Sequence, residues 1–525
     1  MRVPFTDLGT VGLIKDVGGH HLPFTAWTDS RNVRYVGPYV EKVPGYSSVQ
    51  SATVPPYFVS TFPSALQTFH VYAGLEKVYA FIGTQTAEIT RVSDDYNGGA
   101  NDFWNAAIFG GILLLNNGVD VPQVWDPPSL SQVLVDLPNW PASTTAKILR
   151  AFKNYLIAID VTKIAGQDRR LVKWSSSASI GVPTSWDETD PTVEAGEQTL
   201  PEGQDALIDC LPLGDVNVVY GESSTWAMIL ASIPFVFDFR KIFPTSGILA
   251  QGCACNLGPP LGMHFVVTLN DCIVHNGQSF ESLFEARMKD WFFDSINPMA
   301  RELTRTVVNR KQKEVWILFP FEDSTVLNRA LVWNWVHNTW HLRDIPQGRS
   351  AVEVPLEVSS DDAWGQATGT WSSDTTTWGS AAAARAALNS LLIGDLVGNK
   401  ILLVDNSLQA DGEDFVAYVE RKGLDATLGR EGAFHDPQHT RMGLAVFPQI
   451  EGSASITFTV KLGHHDTPEG EITWDSEGTW SPGDEKVEPD LTATGRYLAI
   501  RFEESSDLPW RAYGFELDQV VLGDR

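Results

Sequence analysis

The sequence has little cysteine and a shortage of positive charge. Four cysteines in 525 residues are too few for a disulfide scaffold, and the spacing of Cys253 and Cys255 is not that of a standard zinc knuckle. They are compatible with a reducing compartment or with indifference to redox conditions. Lysine and arginine number 38 against 65 acidic residues, which gives a net charge of −27. Because the electrostatic field of so acidic a chain repels polyanions, tight binding to a phosphate backbone is not expected.

Long apolar runs are also missing. The most apolar stretch, residues 106–115, is far shorter than the roughly 20 residues that a membrane-spanning helix needs. The N-terminus has neither a clustered basic start nor an uninterrupted apolar segment, so we expect no signal peptide and no export. Hydrophobic residues still make up 43% of the chain, with 18 Trp, 26 Phe and 12 Tyr. That is ample core material for a soluble folded protein and excludes disorder.

Short apolar runs rich in Val, Ile, Phe and Trp recur along the chain, separated by Gly, Pro, Asn and Asp. Runs of this size between turn residues are typical of β-strands, and Glu314–Phe319 is one example. Helical periodicity is scarce. Only residues 381–392 (AAAARAALNSLL) favour a helix, through alanine propensity, and they are predicted to form a linker helix. The sequence therefore predicts an all-β fold.

Several segments repeat a pattern of a strand, a turn with Asn-Gly or Asp-Gly character, and a strand that ends near Trp. Residues 113–126 and 315–342 are two of them. At about 40–50 residues per blade, residues 21–405 would form a β-propeller-like body of some six to eight blades. Residues 1–20 would then be an N-terminal arm. A set of unrelated antiparallel sheets is the alternative.

The end of the chain differs in charge. Residues 411–525 hold 23 acidic and 10 basic side chains, which places a domain boundary near residue 405. Residues 455–462, 495–502 and 512–521 alternate between apolar and polar side chains, as strands with one covered and one wet face do. Residues 406–525 are therefore predicted to form an acidic C-terminal β-sandwich, jelly-roll-like in type.

Residues that could carry chemistry do not assemble into a recognisable site. The densest histidine cluster joins His464 and His465 with His435 and His439, but neighbouring residues on a strand point to opposite faces. Neither HExxH nor paired CxxC is present, so no metal site is expected. GxSxG, the P-loop and a GxGxxG after a strand are missing as well. We therefore predict no catalytic residue and no cofactor.

Carboxylates and tryptophans keep one enzymatic alternative open. A glycosidase needs two carboxyl groups about 5–10 Å apart, and some pair among so many acidic residues will meet that condition by chance. Residues 372–378 resemble the Asp-box turn of sialidase-like propellers without its Gly, and such a turn stabilises a fold rather than catalysing a reaction. Several tryptophans could stack on a sugar, although packing is the alternative for each. They are Trp364, Trp371, Trp378, Trp474 and Trp480.

The densest basic cluster is residues 301–313 (RELTRTVVNRKQK). We interpret it as a solvated strand and turn. The alternative is a surface that faces an acidic partner subunit.

Three further motifs lie in order along the chain. In residues 26–46 a Trp and an Asn-x-Arg precede a short turn and a Lys-x-x-Gly-Tyr ending, and residues 103–125 contain a strand, an Asn-Gly turn and Pro-Gln-x-Trp. Near the C-terminus, Gly-Arg-Tyr is followed by Trp-Arg. The motif residues are Trp27, Asn32, Arg34, Lys42, Gly45, Tyr46, Asn117, Gly118, Trp125, Gly495, Arg496, Tyr497 and Trp510. Together these motifs resemble the tail-nozzle, tail-tubular or DNA-stabilisation proteins of short-tailed bacteriophages.

The resemblance implies a structural virion protein with a propeller and a sandwich, without enzymatic activity. Its subunits would form a ring, usually a hexamer, below the portal and its adaptor, retain packaged DNA and provide the conduit for genome ejection. The implied partners are the adaptor or head-to-tail connector, tail fibres or other tail proteins, and double-stranded DNA that passes without tight binding. The implied location is the virion tail, assembled in the host cytoplasm.

The motif residues have structural interpretations of their own. Gly45 and Gly118 are predicted in turns with positive φ, Trp27 and Trp125 in buried contacts, and Arg34 and Arg496 in pairs with carboxylates.

The acidity of the chain has two interpretations. An acidic channel wall would let DNA slide without sticking, or the charge simply keeps the subunit soluble before assembly. The alternative function is a carbohydrate-directed tail protein, either a receptor-binding module or a propeller glycosidase.

Overall fold

Four-stranded antiparallel sheets follow one another along the middle of the chain. The computed structural model describes residues 1–64, 67–126, 128–201, 205–231, 235–356, 388–429, 432–468 and 470–524, and within these residues there are seven such sheets. We number them as blades 1 to 7 and give the strands of each in spatial order.

Blades 1 to 4 are formed by consecutive strands. Blade 1 contains Phe58–Pro63, Thr68–Ala73, Val78–Ile82 and Gln85–Glu88. Blade 2 contains Asn105–Phe109, Ile112–Asn116, Gln123–Trp125 and Val135–Asp136. Blade 3 contains Thr145–Phe152, Tyr155–Lys163, Gly166–Trp174 and Gly196–Thr199. Blade 4 contains Leu207–Leu213, Val216–Gly221, Thr225–Leu230 and Phe237–Phe243.

Blades 5 to 7 complete the series. Blade 5 contains Ala254–Asn256, His264–Val267, Cys272–His275 and Phe280–Ser282. Blade 6 contains Arg305–Asn309, Glu314–Phe319, Leu327–Asn334 and Thr339–Gly348. Blade 7 contains Ala351–Leu356, Leu388–Asp395, Lys400–Val404 and Tyr46–Ser51.

The fourth strand of blade 7 comes from the other end of the chain. Tyr46–Ser51 pairs with Lys400–Val404 in antiparallel register, so a strand that precedes blade 1 completes the last blade. The first strands of successive blades contact one another around the molecule, and the first strand of blade 7 contacts that of blade 1. The seven sheets therefore form a closed β-propeller whose first strands surround a central channel. The predicted propeller is confirmed, and the alternative of unrelated sheets is wrong.

The blade strands are apolar on both faces because each sheet packs between two others. All residues of Ile112–Asn116 and of Glu314–Phe319 are buried. Separate apolar clusters fill the spaces between blades 1 and 2, 2 and 3, 3 and 4, 6 and 7, and 7 and 1. A strand buried on both faces reads as a continuous apolar run rather than an alternating one, which is the pattern that the sequence shows.

Two further sheets form the predicted β-sandwich. The first has the order Ala493–Gly495, His439–Gly452, Trp510–Asp524, Tyr39–Lys42 and Val33–Val36, with Arg2–Thr6 also paired to Trp510–Asp524. The second has the order Asp29–Arg31, Ala417–Leu424, Tyr497–Glu504, Phe458–His465 and Thr473–Trp480. Burial alternates along Phe458–His465 and Ala417–Leu424, as expected for strands with one covered face.

The N-terminal boundaries differ from those predicted. Arg2–Thr6 is a strand of the sandwich and not part of a separate arm, and Val33–Val36 and Tyr39–Lys42 also belong to the sandwich although they fall within the predicted propeller range. The physical reason is that Arg2–Thr6 and Tyr39–Lys42 pair with the outer edge of Trp510–Asp524, and Val33–Val36 pairs with Tyr39–Lys42, so these strands satisfy backbone groups that would otherwise stay unpaired.

Helical and small elements are few among the described residues. They are the α-helix Lys289–Ser295, the 3₁₀-helices Gly19–His21 and Arg301–Leu303, the parallel pair Gly12–Leu13 and Ala26–Trp27, and the hairpin Ala426–Gly429 and Gly432–His435. No helix in this part of the chain is long and apolar enough to cross a membrane.

The predicted linker helix is wrong where it can be compared. Residues 388–392 belong to the strand Leu388–Asp395, which pairs on both sides within blade 7, and residues 381–387 lie outside the described part of the chain. Pairing on two edges overrides a helix preference of a few tenths of a kcal/mol per residue.

The sandwich and the propeller share one apolar core. A single cluster contains buried residues of the sandwich, such as Phe515 and Leu498, together with residues of blades 4, 5 and 6. Trp340 of blade 6 lies in this cluster with its ring 5.0 Å from that of Phe284, and Trp27 belongs to it as well. The two bodies are therefore packed against each other rather than joined by a free linker.

Candidate functional site

Residues 26–46 cross between the sandwich and blades 6 and 7, a region that we call the junction. At its centre the Arg34 guanidinium donates from Nε to Glu314 Oε1 at 2.6 Å and lies 3.4 Å through Nη2 from Asp405 Oδ2. Arg343 also donates to Asp405, at 2.7 Å. The second Glu314 oxygen accepts from Trp316 Nε1 at 3.1 Å. These charged side chains are almost completely buried, so the junction holds a closed ion network.

Electrostatics at this network favours the charged forms of Arg34 and Asp405, whereas burial raises the pKa of Glu314 above its ordinary value. Burial alone would lower the pKa of Arg34, but the carboxylates of Glu314, Asp405 and Glu41 raise it above its ordinary value. Burial would raise the pKa of Asp405, yet the Arg343 and Arg34 guanidinium groups hold it below its usual range. The pairing of Arg34 with carboxylates that the sequence predicted is confirmed. It ties a sandwich strand to blades 6 and 7.

A second buried ion pair joins the first and third sequence motifs. Lys42 Nζ donates to Glu504 Oε2 at 2.9 Å, and the same oxygen accepts from Trp510 Nε1 at 3.1 Å. Lys42 Nζ also lies 4.7 Å from the ring centre of Phe415. The Glu504 side chain is fully buried; Lys42 and Trp510 donate to its Oε2, and the Ser506 backbone N–H donates to its Oε1.

Asn32 connects the junction to blade 6 through hydrogen bonds. Its backbone has φ of +57°, a conformation that asparagine tolerates better than most residues. Its side-chain Nδ2 donates to Asp344 Oδ2 and to the Val416 carbonyl, both at 2.8 Å, while its Oδ1 accepts from the Asp344 backbone N–H at 2.8 Å. The three bonds satisfy a buried amide and fix a turn between the two bodies.

Gly45 is required for a reason other than the predicted positive φ. It is not among the residues with positive φ, so that prediction is wrong. A Cβ atom at Gly45 would lie 2.0 Å from the carbonyl oxygen of Gln409, because the strand that starts at Tyr46 runs closely beside residues 407–410. Tyr46 itself pairs with Val404 at the start of the blade 7 closure.

Trp27 and the C-terminal motif pack around the sandwich. Trp27 is buried, as predicted, and its Nε1 donates to the Leu8 carbonyl at 2.8 Å. The Tyr497 ring stacks on His465 with centroids 5.1 Å apart. A Cβ atom at Gly495 would lie 2.6 Å from that of His464. The Arg496 Nε donates to the Pro437 carbonyl at 2.5 Å rather than to a carboxylate among the described residues, so that prediction differs from the structure.

The second motif lies apart, in blade 2. Gly118 has φ of +80°, which confirms the predicted turn, and Asn117 Oδ1 accepts from the backbone N–H of Val119 at 3.1 Å within the same turn. Trp125 is fully buried between blades 1 and 2, with its ring 5.1 Å from that of Phe69. These residues shape a blade and do not contact the junction motif residues.

The junction partners Glu314, Asp405 and Glu504 were not found from the sequence. Glu314 is 280 positions from Arg34, and Glu504 is 462 positions from Lys42. No local spacing signals such a pair. Only the burial of a carboxylate inside an apolar run, as at the start of Glu314–Phe319, could have marked one of them.

The four histidines of the predicted cluster pair with carboxylates or carbonyls. His435 Nδ1 lies 2.6 Å from Asp425, His439 Nδ1 lies 2.8 Å from Asp436, and His464 Nδ1 lies 2.6 Å from Asp475. His465 Nδ1 donates to the Thr467 carbonyl at 2.7 Å. Within the described ranges no group of three or more potential metal ligands is found.

The four cysteines are free thiols, and three of them are buried. Burial raises the pKa of Cys210, Cys253 and Cys255 to about 12. Because the thiolate is the reactive form, these side chains are poor nucleophiles at neutral pH.

A cleft of about 690 Å³ lies beside the junction, between the N-terminal segment, the α-helix and the sandwich. Its walls include the indole rings of Trp291 and Trp474. Asp29 and Glu420 face each other on neighbouring strands, with Lys15 Nζ 2.6 Å from Asp29. Burial and the nearby Asp29 carboxylate raise the pKa of Glu420.

Only some of the tryptophans singled out in the sequence can be compared. Trp474 is partly exposed in the cleft, whereas Trp480 is buried and donates to the Asp484 carbonyl at 3.0 Å, which confirms packing for that residue. Trp364, Trp371, Trp378 and the Asp-box-like residues 372–378 lie outside the described part of the chain.

No protein-family model matches the chain, and no curated protein matches it. Among solved structures it is similar to PorZ, a bacterial surface component of the type-IX secretion system of Porphyromonas gingivalis. The identity is 9% and the TM-score 0.35, over 72% of this chain and 42% of that one, so this chain spans less than half of that structure.

Two further solved structures are similar to this chain at comparably low identity and TM-score. One is a fungal alcohol oxidase (9% identity, TM-score 0.42, 88% and 93% of the two chains). The other is the WD40 β-propeller domain of Doa1, with 7% identity and a TM-score of 0.38 over 69% of this chain and 96% of that one.

Proposed function

We propose that this chain is a structural protein of the tail of a short-tailed bacteriophage. Its subunits form a ring, a hexamer, below the portal and its adaptor, hold packaged DNA in place and form the conduit for genome ejection. The ring binds the adaptor and other tail proteins such as fibres, and it acts without catalysis. It resides in the virion tail after assembly in the host cytoplasm.

The observation that carries the proposal is the junction. Seven of the residues that carry the family resemblance (Trp27, Asn32, Arg34, Lys42, Gly45, Tyr46 and Trp510) lie where the sandwich meets the propeller, most of them in buried polar contacts. Breaking one member of a buried ion pair costs about 3–5 kcal/mol, so such pairs hold two bodies in one orientation. A subunit that must withstand the pressure of packaged DNA needs that rigidity.

The charge of the chain agrees with a conduit that does not retain DNA. A net charge of −27 opposes the counter-ion release that drives binding to a phosphate backbone. Repulsion of DNA by an acidic channel wall and solubility of the subunit before assembly are two separate explanations of that charge.

The test is cryo-electron microscopy of the full chain, alone over a range of concentrations and mixed with the portal–adaptor complex encoded by the same phage genome. We expect a sixfold ring attached to the adaptor, with a channel wide enough for double-stranded DNA. A chain that stays monomeric and does not associate with the portal–adaptor complex at any concentration would overturn the proposal.

The cleft beside the junction favours a second candidate, a carbohydrate-directed tail protein. Trp291 and Trp474 offer aromatic faces for stacking on a sugar, and Asp29 and Glu420 offer carboxylates on opposite positions of neighbouring strands. Directly opposed residues have Cβ atoms about 5 Å apart, so the two carboxyl groups can reach the roughly 5–10 Å separation that glycosidases use. The raised pKa of Glu420 is the direction that a general acid requires.

Glycan binding separates the two candidates. Intrinsic fluorescence of the wild-type chain and of Trp474→Ala would be titrated with bacterial surface polysaccharide fragments, and reducing ends would be assayed for cleavage. A carbohydrate-directed protein loses binding on Trp474→Ala while Trp480→Phe, a buried control, leaves it unchanged. If neither quenching nor cleavage is observed with the wild-type chain, this candidate fails.

A further inference from the structure

A cavity of about 230 Å³ opens at the end of the propeller channel where the first strands of the blades begin. Blades 1, 2, 3, 6 and 7 and the segment before blade 5 contribute to its wall. Three arginines line it, Arg150 from blade 3, Arg305 from blade 6 and Arg349 from just before blade 7. Asp102 is the carboxylate among the described lining residues, and its Oδ2 accepts from the Gly99 backbone at 2.9 Å. We call this cavity the channel mouth.

Arg150 is neutralised by the protein itself. Its Nε and Nη2 donate to the two oxygens of Asp209, both at 3.0 Å, and its Nη1 donates to the Ala106 carbonyl at 3.2 Å. The Asp209 carboxylate is fully buried behind it. This arginine therefore has its charge and most of its donors satisfied, and it serves as a fixed wall of the channel mouth.

Arg305 is held in place but keeps its charge. Its Nη1 donates to the carbonyls of Glu302 and Thr304 at 2.7 and 2.8 Å, and its guanidinium lies 4.4 Å from the ring centre of Phe103. Within the described residues no carboxylate forms an ion pair with it. A Cβ atom at Gly252 would lie 2.7 Å from Arg305 Cδ, so a glycine there makes room for the stem of the arginine.

Like Arg305, Arg349 is held in place and keeps its charge. Its Nη1 donates to the Ala100 carbonyl, and its guanidinium lies 5.2 Å from the ring centre of Tyr57. The buried Nε has no hydrogen-bond partner, and no carboxylate of the described chain pairs with it either. An unpaired buried donor is destabilising, and a bound acceptor would remove that cost.

Burial also disfavours the charges of both arginines. Burial lowers the pKa of Arg305 to about 10; Cys253 and Asp209 oppose this shift, and the neighbouring Arg349 and Arg150 add to it. Burial lowers the pKa of Arg349 as well. Arg305 nevertheless stays protonated at neutral pH. A positive cavity inside a chain of net charge −27 is therefore maintained at a free-energy cost that an anion would remove.

We propose that the channel mouth binds a small oxyanion, a phosphate or a carboxylate group, between Arg305 and Arg349. The planar fork of a guanidinium matches the oxygens of both groups, and the rings of Phe103 and Tyr57 hold the two forks from behind. The volume is below the roughly 300–1,000 Å³ of pockets for drug-sized ligands. The occupant is therefore a small ion or a small molecule with one anionic group. This site is independent of the tail function proposed above.

The test uses the full-length chain and isothermal titration calorimetry with inorganic phosphate, succinate and, as an ionic-strength control, sodium chloride. The variants are Arg305→Gln and Arg349→Gln. The matched control is Arg240→Gln, which removes the same charge from an exposed position of blade 4. We expect phosphate or succinate to bind the wild type and the control equally, and each channel-mouth variant to bind at least tenfold more weakly.

A second pair of variants guards against loss of folding. Arg305→Lys and Arg349→Lys keep the charge but lose the fork, and they should recover only part of the affinity, with far-ultraviolet circular dichroism spectra like that of the wild type. The relative affinities for phosphate and succinate identify the preferred anion. Absence of binding by the wild type, or equal weakening by Arg240→Gln, would overturn the proposal.

Discussion

Arg34 connects three parts of the chain through one guanidinium. It sits on a sandwich strand, donates to Glu314 of blade 6 and lies beside Asp405 of blade 7. Because Glu314 is fully buried, its charge depends on this partner. A residue with such contacts orients the sandwich relative to the propeller, so its removal should destabilise both.

We therefore expect Arg34→Met to reduce the free energy of unfolding by about 3–5 kcal/mol, since it leaves a buried carboxylate without its cation. Arg511→Met is the matched control. Arg511 pairs with Glu41 at 3.2 Å on the surface, and exposed pairs of this kind contribute less than about 1 kcal/mol. Urea unfolding followed by tryptophan fluorescence measures both. Equal effects of the two substitutions would contradict a central role for Arg34.

Trp27 gives a second prediction at this scale. Its side chain is buried in the core shared by the sandwich and blades 4 to 6, so Trp27→Ala should cost about 3–5 kcal/mol. Trp474→Ala removes the same side chain from a partly exposed position and should change stability far less. The comparison is made by thermal unfolding of both variants. A midpoint for Trp27→Ala within error of the wild type would show that this placement is wrong.

At the scale of elements, blades 4 and 5 meet through a buried polar network. The Tyr220 hydroxyl of blade 4 lies 2.7 Å from His264 Nδ1 and 2.8 Å from His275 Nε2 of blade 5. His264 Nε2 lies 3.0 Å from the Pro212 carbonyl, and His275 Nδ1 accepts from the Gly277 backbone N–H at 3.2 Å. Each ring thus has one nitrogen that donates and one that accepts, which requires both histidines to be neutral.

This network predicts that stability falls with acidification. Burial lowers the pKa of His264 to about 4 and that of His275 to about 3, against about 6.5 in the unfolded chain. Between these values the unfolded state binds more protons. The stabilisation is therefore complete above pH 6.5 and is lost toward pH 4 for His264 and toward pH 3 for His275, at roughly 1.4 kcal/mol per histidine for each pH unit.

Unfolding free energies at pH 7 and pH 5 test the expectation. His264→Gln/His275→Gln should reduce the difference between the two pH values, whereas His21→Gln at an exposed position should leave it unchanged. A pH dependence that is the same in the wild type and the double variant would contradict it.

The strands and turns also show which features could be predicted from the sequence. Glu314–Phe319 is observed with its predicted bounds, and the Asn-Gly turn at Gly118 is found, because strand and turn signals are local. The strand Leu388–Asp395 was missed over residues 388–392, since its propensity is helical while its environment is a blade.

The junction contacts were missed for a different reason. The Arg34 side chain could be expected to pair with a carboxylate, but nothing near it in sequence identifies Glu314 as the partner. The same holds for the channel mouth. Arg305 belongs to a basic cluster that was interpreted as solvated, and only the closure of the propeller brings Arg349 beside it.

At the scale of the whole molecule, the N-terminal segment is shared between both bodies. Tyr46–Ser51 completes blade 7, while Arg2–Thr6 and Tyr39–Lys42 complete a sheet whose other strands lie after residue 438. The backbone amine of Met1 donates to Asp518 at 2.7 Å. Because N-terminal strands pair with the strand Trp510–Asp524, the sandwich is not an independent C-terminal domain.

This threading predicts how fragments behave. Residues 406–525 expressed alone lack four sandwich strands, which exposes one edge of Trp510–Asp524, and a long unpaired edge promotes aggregation. We expect this fragment to aggregate and to give no cooperative unfolding transition. Co-expression with residues 1–43 should reduce aggregation by covering that edge, although the apolar face that packs on the propeller stays exposed, and residues 1–43 carrying Arg34→Met should do so equally, since Glu314 and Asp405 are absent from both fragments. Size-exclusion chromatography and thermal unfolding provide the measurement. A monodisperse, cooperatively unfolding fragment 406–525 would mean that the N-terminal strands are not needed to complete the sandwich.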